Sequence, residues 1–176
     1  MSGCGYGRTC SELIEAGYHN VVGIDISEEM IRRGRWLNGD LNLHIFDGRS
    51  VDFEDSSFDA CILLAVLTCI PYDGGQNRTI DEVHRLLRPG GMVFISDYPL
   101  RKDERNQKRY REFEKQFGTF GIFRTENAIL RHFDMSRIYQ LLSRFEILWE
   151  EVIRVCTMNG NESDVFQIGA RKKNIG

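Results

Sequence analysis

The sequence predicts an α/β fold: a doubly wound, mostly parallel sheet that ends in an antiparallel C-terminal hairpin. Short apolar runs alternate with amphipathic helical stretches, and this alternation is the signature of parallel strands joined by crossover helices. A cluster of glycines, Gly3, Gly5 and Gly7, stands at the start of the first helix. About 20 residues later an aspartate, Asp25, closes the next apolar run, at the spacing at which such sheets grip a nucleotide.

The elements follow in order. Arg8 to Ala16 reads as a helix stopped by Gly17, and Asn20 to Ile26 as a strand rich in Val and Ile. Ser27 is placed as the N-cap of a helix running to Leu37. Leu41 to Phe46 and Phe58 to Ala65 are strand-like, and most of the strand-like runs are expected to be buried on both faces. In the helix expected over Arg78 to Leu87, the positions Ile80, Val83 and Leu87 fall on one face and should meet the sheet. Gly91 to Asp97 is a further strand, and Met135 to Ser143 a further helix. The last two strands, Phe145 to Cys156 and Val165 to Arg171, are joined by a polar turn, Met158-Asn159-Gly160-Asn161, and read as the edge hairpin.

Pro99 to Phe133 breaks this rhythm. It opens with Arg101-Lys102-Asp103-Glu104-Arg105 and then carries aromatics at Tyr110, Phe113, Phe117, Phe120 and Phe123. Inserted after a core strand at the carboxyl end of the sheet, 99–133 is expected to be a cap or lid within a single domain spanning 1–176. At 176 residues the chain can bury about 70% of its unfolded surface.

Composition narrows the partners. The 23 basic and 26 acidic residues leave a net charge of -3, so no basic excess points to nucleic acid, and a nucleic-acid partner is not expected. The longest apolar run, Ala60 to Leu67, falls far short of the roughly 20 residues of a membrane span, and the N-terminus has no signal-peptide pattern, so no membrane association and a cytoplasmic location are expected. Five cysteines at unpaired spacings, Cys4, Cys10, Cys61, Cys69 and Cys156, suggest neither structural disulfides nor a metal site.

The chemistry begins in the glycine loop. Glycine permits positive φ and a close ligand, while the free N–H groups of the helix at Arg8 favour an anionic group. Arg8 stands where a dinucleotide fingerprint would have its last glycine, which weighs against a nicotinamide cofactor. A carboxylate at Asp25 can accept from both hydroxyls of a ribose.

On these residues the chain resembles the class I S-adenosylmethionine-dependent methyltransferases of the methyltransferase domain 11 type, whose sheet is Rossmann-like. Gly3-Cys4-Gly5-Tyr6-Gly7-Arg8 is similar to the family's first motif and Val22-Gly23-Ile24-Asp25-Ile26-Ser27-Glu28-Glu29-Met30 to its second. Phe46-Asp47-Gly48, Ser57-Phe58-Asp59-Ala60 and Leu86-Leu87-Arg88-Pro89-Gly90-Gly91 follow in the family's order. The resemblance implies S-adenosylmethionine as cofactor. Gly3, Cys4, Gly5, Tyr6 and Gly7 would lie under its methionine part, Asp25 on its ribose and Ile26 against its adenine. Asp47 and the Gly48 amide would meet the adenine edge, and the Leu64 and Ala65 carbonyls the ammonium group.

The resemblance also implies methyl transfer to a small-molecule acceptor by in-line displacement. Catalysis then consists mainly of positioning a nucleophile, with a base needed only where the acceptor loses a proton. His132 and Tyr98 are the candidate bases near the cap, and Arg124 could hold an acidic acceptor. Two other readings stand beside it: a nucleotide-binding or truncated methyltransferase-fold protein without turnover, and an NAD-dependent oxidoreductase. The family places a strand before the glycine loop and an acidic residue where Met1 stands. Either a truncated sequence or a strand donated by a second copy, in a homodimer, is expected to account for the difference.

Overall fold

The computed structural model describes residues 1–46, 50–156, 160 and 162–173. The strands are β1 (Val22–Asp25), β2 (Asn42–Ile45), β3 (Phe58–Leu64), β4 (Leu87–Asp97), β5 (Ile122–Arg124), β6 (Ile129–Arg131), β7 (Phe145–Cys156) and β8 (Glu162–Lys172). The helices are α1 (Arg8–Glu15), α2 (Glu28–Leu37), α3 (Asp73–Leu86), α4 (Glu104–Phe117) and α5 (Met135–Leu141). Among the described residues no helix is long and apolar enough to cross a membrane.

The main sheet is built in two parts. β1 and β2 pair in parallel, while β3, β4, β8 and β7 lie in that order, β3 parallel to β4 and β8 antiparallel to both of its neighbours. Ser2 joins the parts, forming parallel bridges to Ile24 on one side and to Leu63 on the other. Around it Ile24 N–H donates to the Met1 carbonyl at 2.9 Å and Ser2 N–H to the Ile62 carbonyl at 3.0 Å. Behind Ser2 the space between β1 and β3 is an apolar slot, lined by Val22, Ile24, Phe46, Phe53, Phe58 and Ala60 among others.

Each part has its own core. Cys4, Cys10, Ile31, Leu41 and Leu43 bury α1 and α2 against β1 and β2. The fit there is tight, because a β-carbon added at Gly23 would stand 2.6 Å from Leu43 Cδ2 and 2.9 Å from the sulfurs of both Cys4 and Cys10. The larger core gathers Leu63, Ile80, Val83, Val93, Ile95, Ile138 and Phe166, which seat α3 and α5 on the other four strands.

Among the element boundaries that differ from the sequence expectation, the start of α3 and the start of β4 differ most. Helix α3 starts at Asp73 rather than Arg78, although Gly74 and Gly75 disfavour a helix. Tertiary contacts override that propensity: Gly75 packs against Ile70, Gln76 donates to the Ile70 carbonyl at 2.7 Å, and Asp73 is held by Arg131 at 2.5 Å. Leu87, expected to end that helix, instead begins β4 and pairs with Phe58. It is fully buried in either role, so the periodicity could not separate them.

The stretch 99–133 holds α4 and the antiparallel pair β5–β6. Asp103 caps α4 by accepting from Asn106 N–H at 3.0 Å, and Gly118 ends it at φ 70. Tyr110, Ile122 and Phe123 are buried between the helix and the hairpin. The segment is anchored at both ends by Leu100 N–H donating to the Phe133 carbonyl and Phe133 N–H to the Tyr98 carbonyl, at 2.8 and 2.9 Å.

Candidate active site

The glycine loop bends because all three of its glycines hold positive φ, of 66° at Gly3, 56° at Gly5 and 88° at Gly7. Their surroundings differ. A β-carbon at Gly3 would meet Val66 at 2.6 Å and one at Gly7 would meet Leu41 at 2.7 Å, whereas one at Gly5 would meet nothing within 4 Å. Gly3 and Gly7 therefore let the loop pack down, and Gly5 alone faces open space. Gly7 precedes α1 with no side-chain cap, so the first-turn N–H groups of the helix have no side-chain acceptor. The Cys4 side chain is buried toward Gly23, leaving only its backbone on the ligand side. Tyr6 is partly exposed, with the Arg33 guanidinium 5.3 Å from its ring centre.

Asp25 sits at the end of β1 and binds the loop directly. Its Oδ2 accepts from Gly5 N–H at 2.7 Å and its Oδ1 from Ser27 N–H at 2.8 Å. Ser27 in turn caps α2 by accepting from Met30 N–H at 3.3 Å. Each carboxylate oxygen keeps a lone pair after these bonds, so two vicinal hydroxyls can still be accepted. Beside it Ile26 is 72% exposed, a branched apolar side chain standing in solvent where a flat ring would cover it. Asp47 and Gly48 lie outside the described residues. The exposed isoleucine, the carboxylate with spare acceptors and the open face of Gly5 fit an adenosine bearing a small charged tail.

Across the loop, β3 ends at Leu64 and the chain turns sharply. Ala65 lies at φ 52°, in the left-handed region that costs a non-glycine residue about 1–2 kcal/mol. Its N–H donates to the Ser96 carbonyl at 2.8 Å, which holds the strained residue in place. The following turn, Leu67–Cys69, brings Val66 against Gly3 and places the Cys69 thiol 3.5 Å from the Ala65 carbonyl.

Asp97 closes β4 beneath this turn and is 1% exposed. It accepts from Thr68 N–H at 3.1 Å and from Tyr98 N–H at 2.9 Å. Burial nonetheless dominates and pushes its carboxyl up to about 7. Nothing in the sequence had set Asp97 or Thr68 apart from ordinary core positions. The one available signal was that Asp97 ends its strand in acid, as Asp25 does.

The two base candidates and Arg124 occupy different settings. His132 is packed in the 99–133 segment between Tyr98, which stacks on it with ring centres 5.6 Å apart, and the edge of Phe123 at 4.8 Å. Its Nδ1 lies 2.5 Å from the Tyr110 hydroxyl, which already accepts from Arg101 N–H at 3.3 Å. Where the hydroxyl donates to Nδ1, the imidazole proton resides on Nε2. Burial, with Arg109 and Arg101 nearby, pushes the His132 pKa down to about 3, so the ring is neutral and weakly basic. This setting fits a structural imidazole. Tyr98 adjoins Asp97, and burial raises its pKa. Arg124 is exposed on β5, with its guanidinium 5.9 Å from the Phe117 ring centre.

Comparison with known proteins agrees with this geometry. The model of a methyltransferase domain matches residues 1–95. A solved SAM-dependent methyltransferase from Methanosarcina mazei is 30% identical and superposes with a TM-score of 0.91, covering 98% of this chain and 90% of that one. A phosphatidylethanolamine N-methyltransferase from Cereibacter sphaeroides is 30% identical over 61% of this chain. An 18S rRNA (guanine(1575)-N(7))-methyltransferase from Saccharomyces cerevisiae is 30% identical over 58%. The chain spans only 56% and 40% of the lengths of these last two.

The yeast relative overturns the expectation that nucleic acid is no partner and that acceptors are confined to small molecules. Net charge was a poor guide because it averages over the whole surface, while a methyl acceptor meets only the mouth of the site. By the matched domain and by the Methanosarcina mazei structure, the chain belongs to the class I S-adenosylmethionine-dependent methyltransferase family.

Proposed function

We propose that this chain transfers the methyl group of S-adenosylmethionine to a nucleophile presented between the cofactor mouth and the 99–133 cap. The observation that carries the reading is the corner formed by Asp25, Gly5 and Ile26: a carboxylate with spare acceptors, an unobstructed glycine and an exposed apolar side chain within one hydrogen-bonded turn.

When bound, the cofactor supplies an electrophilic methyl carbon on a sulfonium. The chain supplies position. Asp25 accepts from the ribose hydroxyls, Ile26 covers one face of the adenine, and Asp47 with the Gly48 amide addresses the adenine edge. The Leu64 and Ala65 carbonyls accept from the ammonium group, and the loop from Gly3 to Gly7 passes under the methionine part. The cap contributes an apolar wall that excludes water from the nucleophile, an effect achieved by orientation and closure rather than by covalent chemistry. A neutral acceptor gives up its proton after or during attack; Tyr98, beside the mouth, is better placed to orient that group than His132, whose Nδ1 is already occupied.

Calorimetry with S-adenosylmethionine, S-adenosylhomocysteine and NAD tests the cofactor. Binding of the two sulfur nucleotides and not of NAD is expected, and failure of the folded protein to bind either refutes the reading. Methyl transfer from labelled cofactor to panels of small molecules, protein and RNA then identifies the acceptor class and separates an enzyme from a binding protein.

A further inference from the structure

The turn after β3 is held from behind by groups that the cofactor roles above leave unused. Asp97 fixes the backbone of Thr68 from the strand side, through the Thr68 N–H, and Thr68 is itself 4% exposed. The hydroxyl of the same threonine donates to the Arg131 carbonyl at 2.8 Å, at the end of β6 in the cap. Arg131, 7% exposed, then reaches back to the Pro71 carbonyl at 3.2 Å and to Asp73 at 2.5 Å, at the start of α3. One buried threonine thus joins the end of β4, the cofactor turn and the cap hairpin through its two donors.

We propose that Thr68, held by Asp97, is the positioning residue that couples the cofactor's methionine end to the cap. The coupling rests on the S-adenosylmethionine reading of the site. Its physical basis is that the strained Ala65 and the Thr68 N–H belong to a single short turn, Ala65 to Cys69, closed by Cys69 N–H donating to the Val66 carbonyl at 3.0 Å. A ligand that fixes the carbonyls at the start of this turn restrains Thr68 at its end, and the hydroxyl passes that restraint to β6. Removing the hydroxyl while keeping the shape cuts the link to the cap and leaves the Asp97 bond intact. Replacing Asp97 by asparagine puts an amide donor against one of the backbone N–H groups that the carboxylate holds and loosens the turn itself.

The two changes are therefore expected to separate. With S-adenosylhomocysteine bound, amide hydrogen exchange of residues 122–131 in the unaltered protein should slow by about threefold or more. In Thr68→Val this ligand-dependent slowing should disappear, while the dissociation constant stays within about threefold; Thr68→Ser should restore it. Asp97→Asn should weaken S-adenosylhomocysteine binding by about tenfold, or fail to fold, in which case the threonine pair still decides. Protection of the cap that persists in Thr68→Val, or that never occurs although the ligand binds, overturns the coupling. Absence of binding to the unaltered protein would instead overturn the cofactor reading, so the two failures are distinct.

Discussion

The Gly5 N–H donates to Asp25 Oδ2 at 2.7 Å, so the residue expected to hold the ribose also holds the loop that passes under the rest of the cofactor. Removing the carboxylate acts on both. Asp25→Ala should weaken S-adenosylmethionine binding by about 1.5–3 kcal/mol, the usual cost of losing hydrogen bonds to a charged group. Titration calorimetry measures this directly, and an unchanged dissociation constant would refute the assignment.

Ile26 should behave in the opposite way with respect to stability. At 72% exposure it contributes little to folding, yet it presents apolar surface beside Asp25. Ile26→Ser is expected to leave the thermal midpoint within a degree or two and to weaken S-adenosylmethionine by about 1–2 kcal/mol, the value of one aliphatic side chain taken out of water. Equal affinity in the variant would show that adenine does not lie there.

Ala65 carries backbone strain that glycine would relieve. Ala65→Gly removes about 1–2 kcal/mol of left-handed penalty and adds somewhat less in unfolded-chain entropy, so urea denaturation should find it neutral or slightly stabilised. Ala65→Val, with a branched side chain at φ 52°, should lose more than about 1 kcal/mol. A glycine variant clearly less stable than the parent would contradict this account.

The buried Asp97 makes stability depend on pH. Its folded pKa, about 7, lies above the ordinary carboxylate value, so its contribution is fully present below about pH 4 and is lost as pH rises through 7. The groups facing it that could confuse the profile are the Cys69 thiol and the Tyr98 hydroxyl, both pushed up and uncharged in this window. Between pH 5 and pH 8 the urea midpoint of the unaltered protein should fall relative to that of Asp97→Asn. Parallel profiles would show that the carboxyl does not titrate there.

Much of this was legible in the chain. Asp25 and Ser27 could be placed because a strand end and a helix start each demand a particular side chain, and a mostly parallel sheet with an antiparallel terminal hairpin follows from the alternation and the closing polar turn. The start of α3 was hidden, since Gly74 and Gly75 argue against a helix and only packing on the preceding Ile70 and the bond from Arg131, 58 residues from Asp73, override them. His132 is a candidate base by residue type alone. Its partner Tyr110 lies 22 residues away, and no local pattern announces that pairing. Thr68 was invisible for the same reason: both of its bonds are to residues brought near by the fold.

Ser2 gives the architecture a mechanical meaning. Among the described residues it alone pairs with both β1 and β3, so Asp25, the residue proposed to hold the ribose, and the Leu64–Ala65 turn stand on opposite banks of a narrow isthmus. A ligand touching both banks is a staple, adding a second fastening where the backbone provides one. Occupancy of the site should then be felt less as a local change than as a rise in the cooperativity with which the two banks melt together.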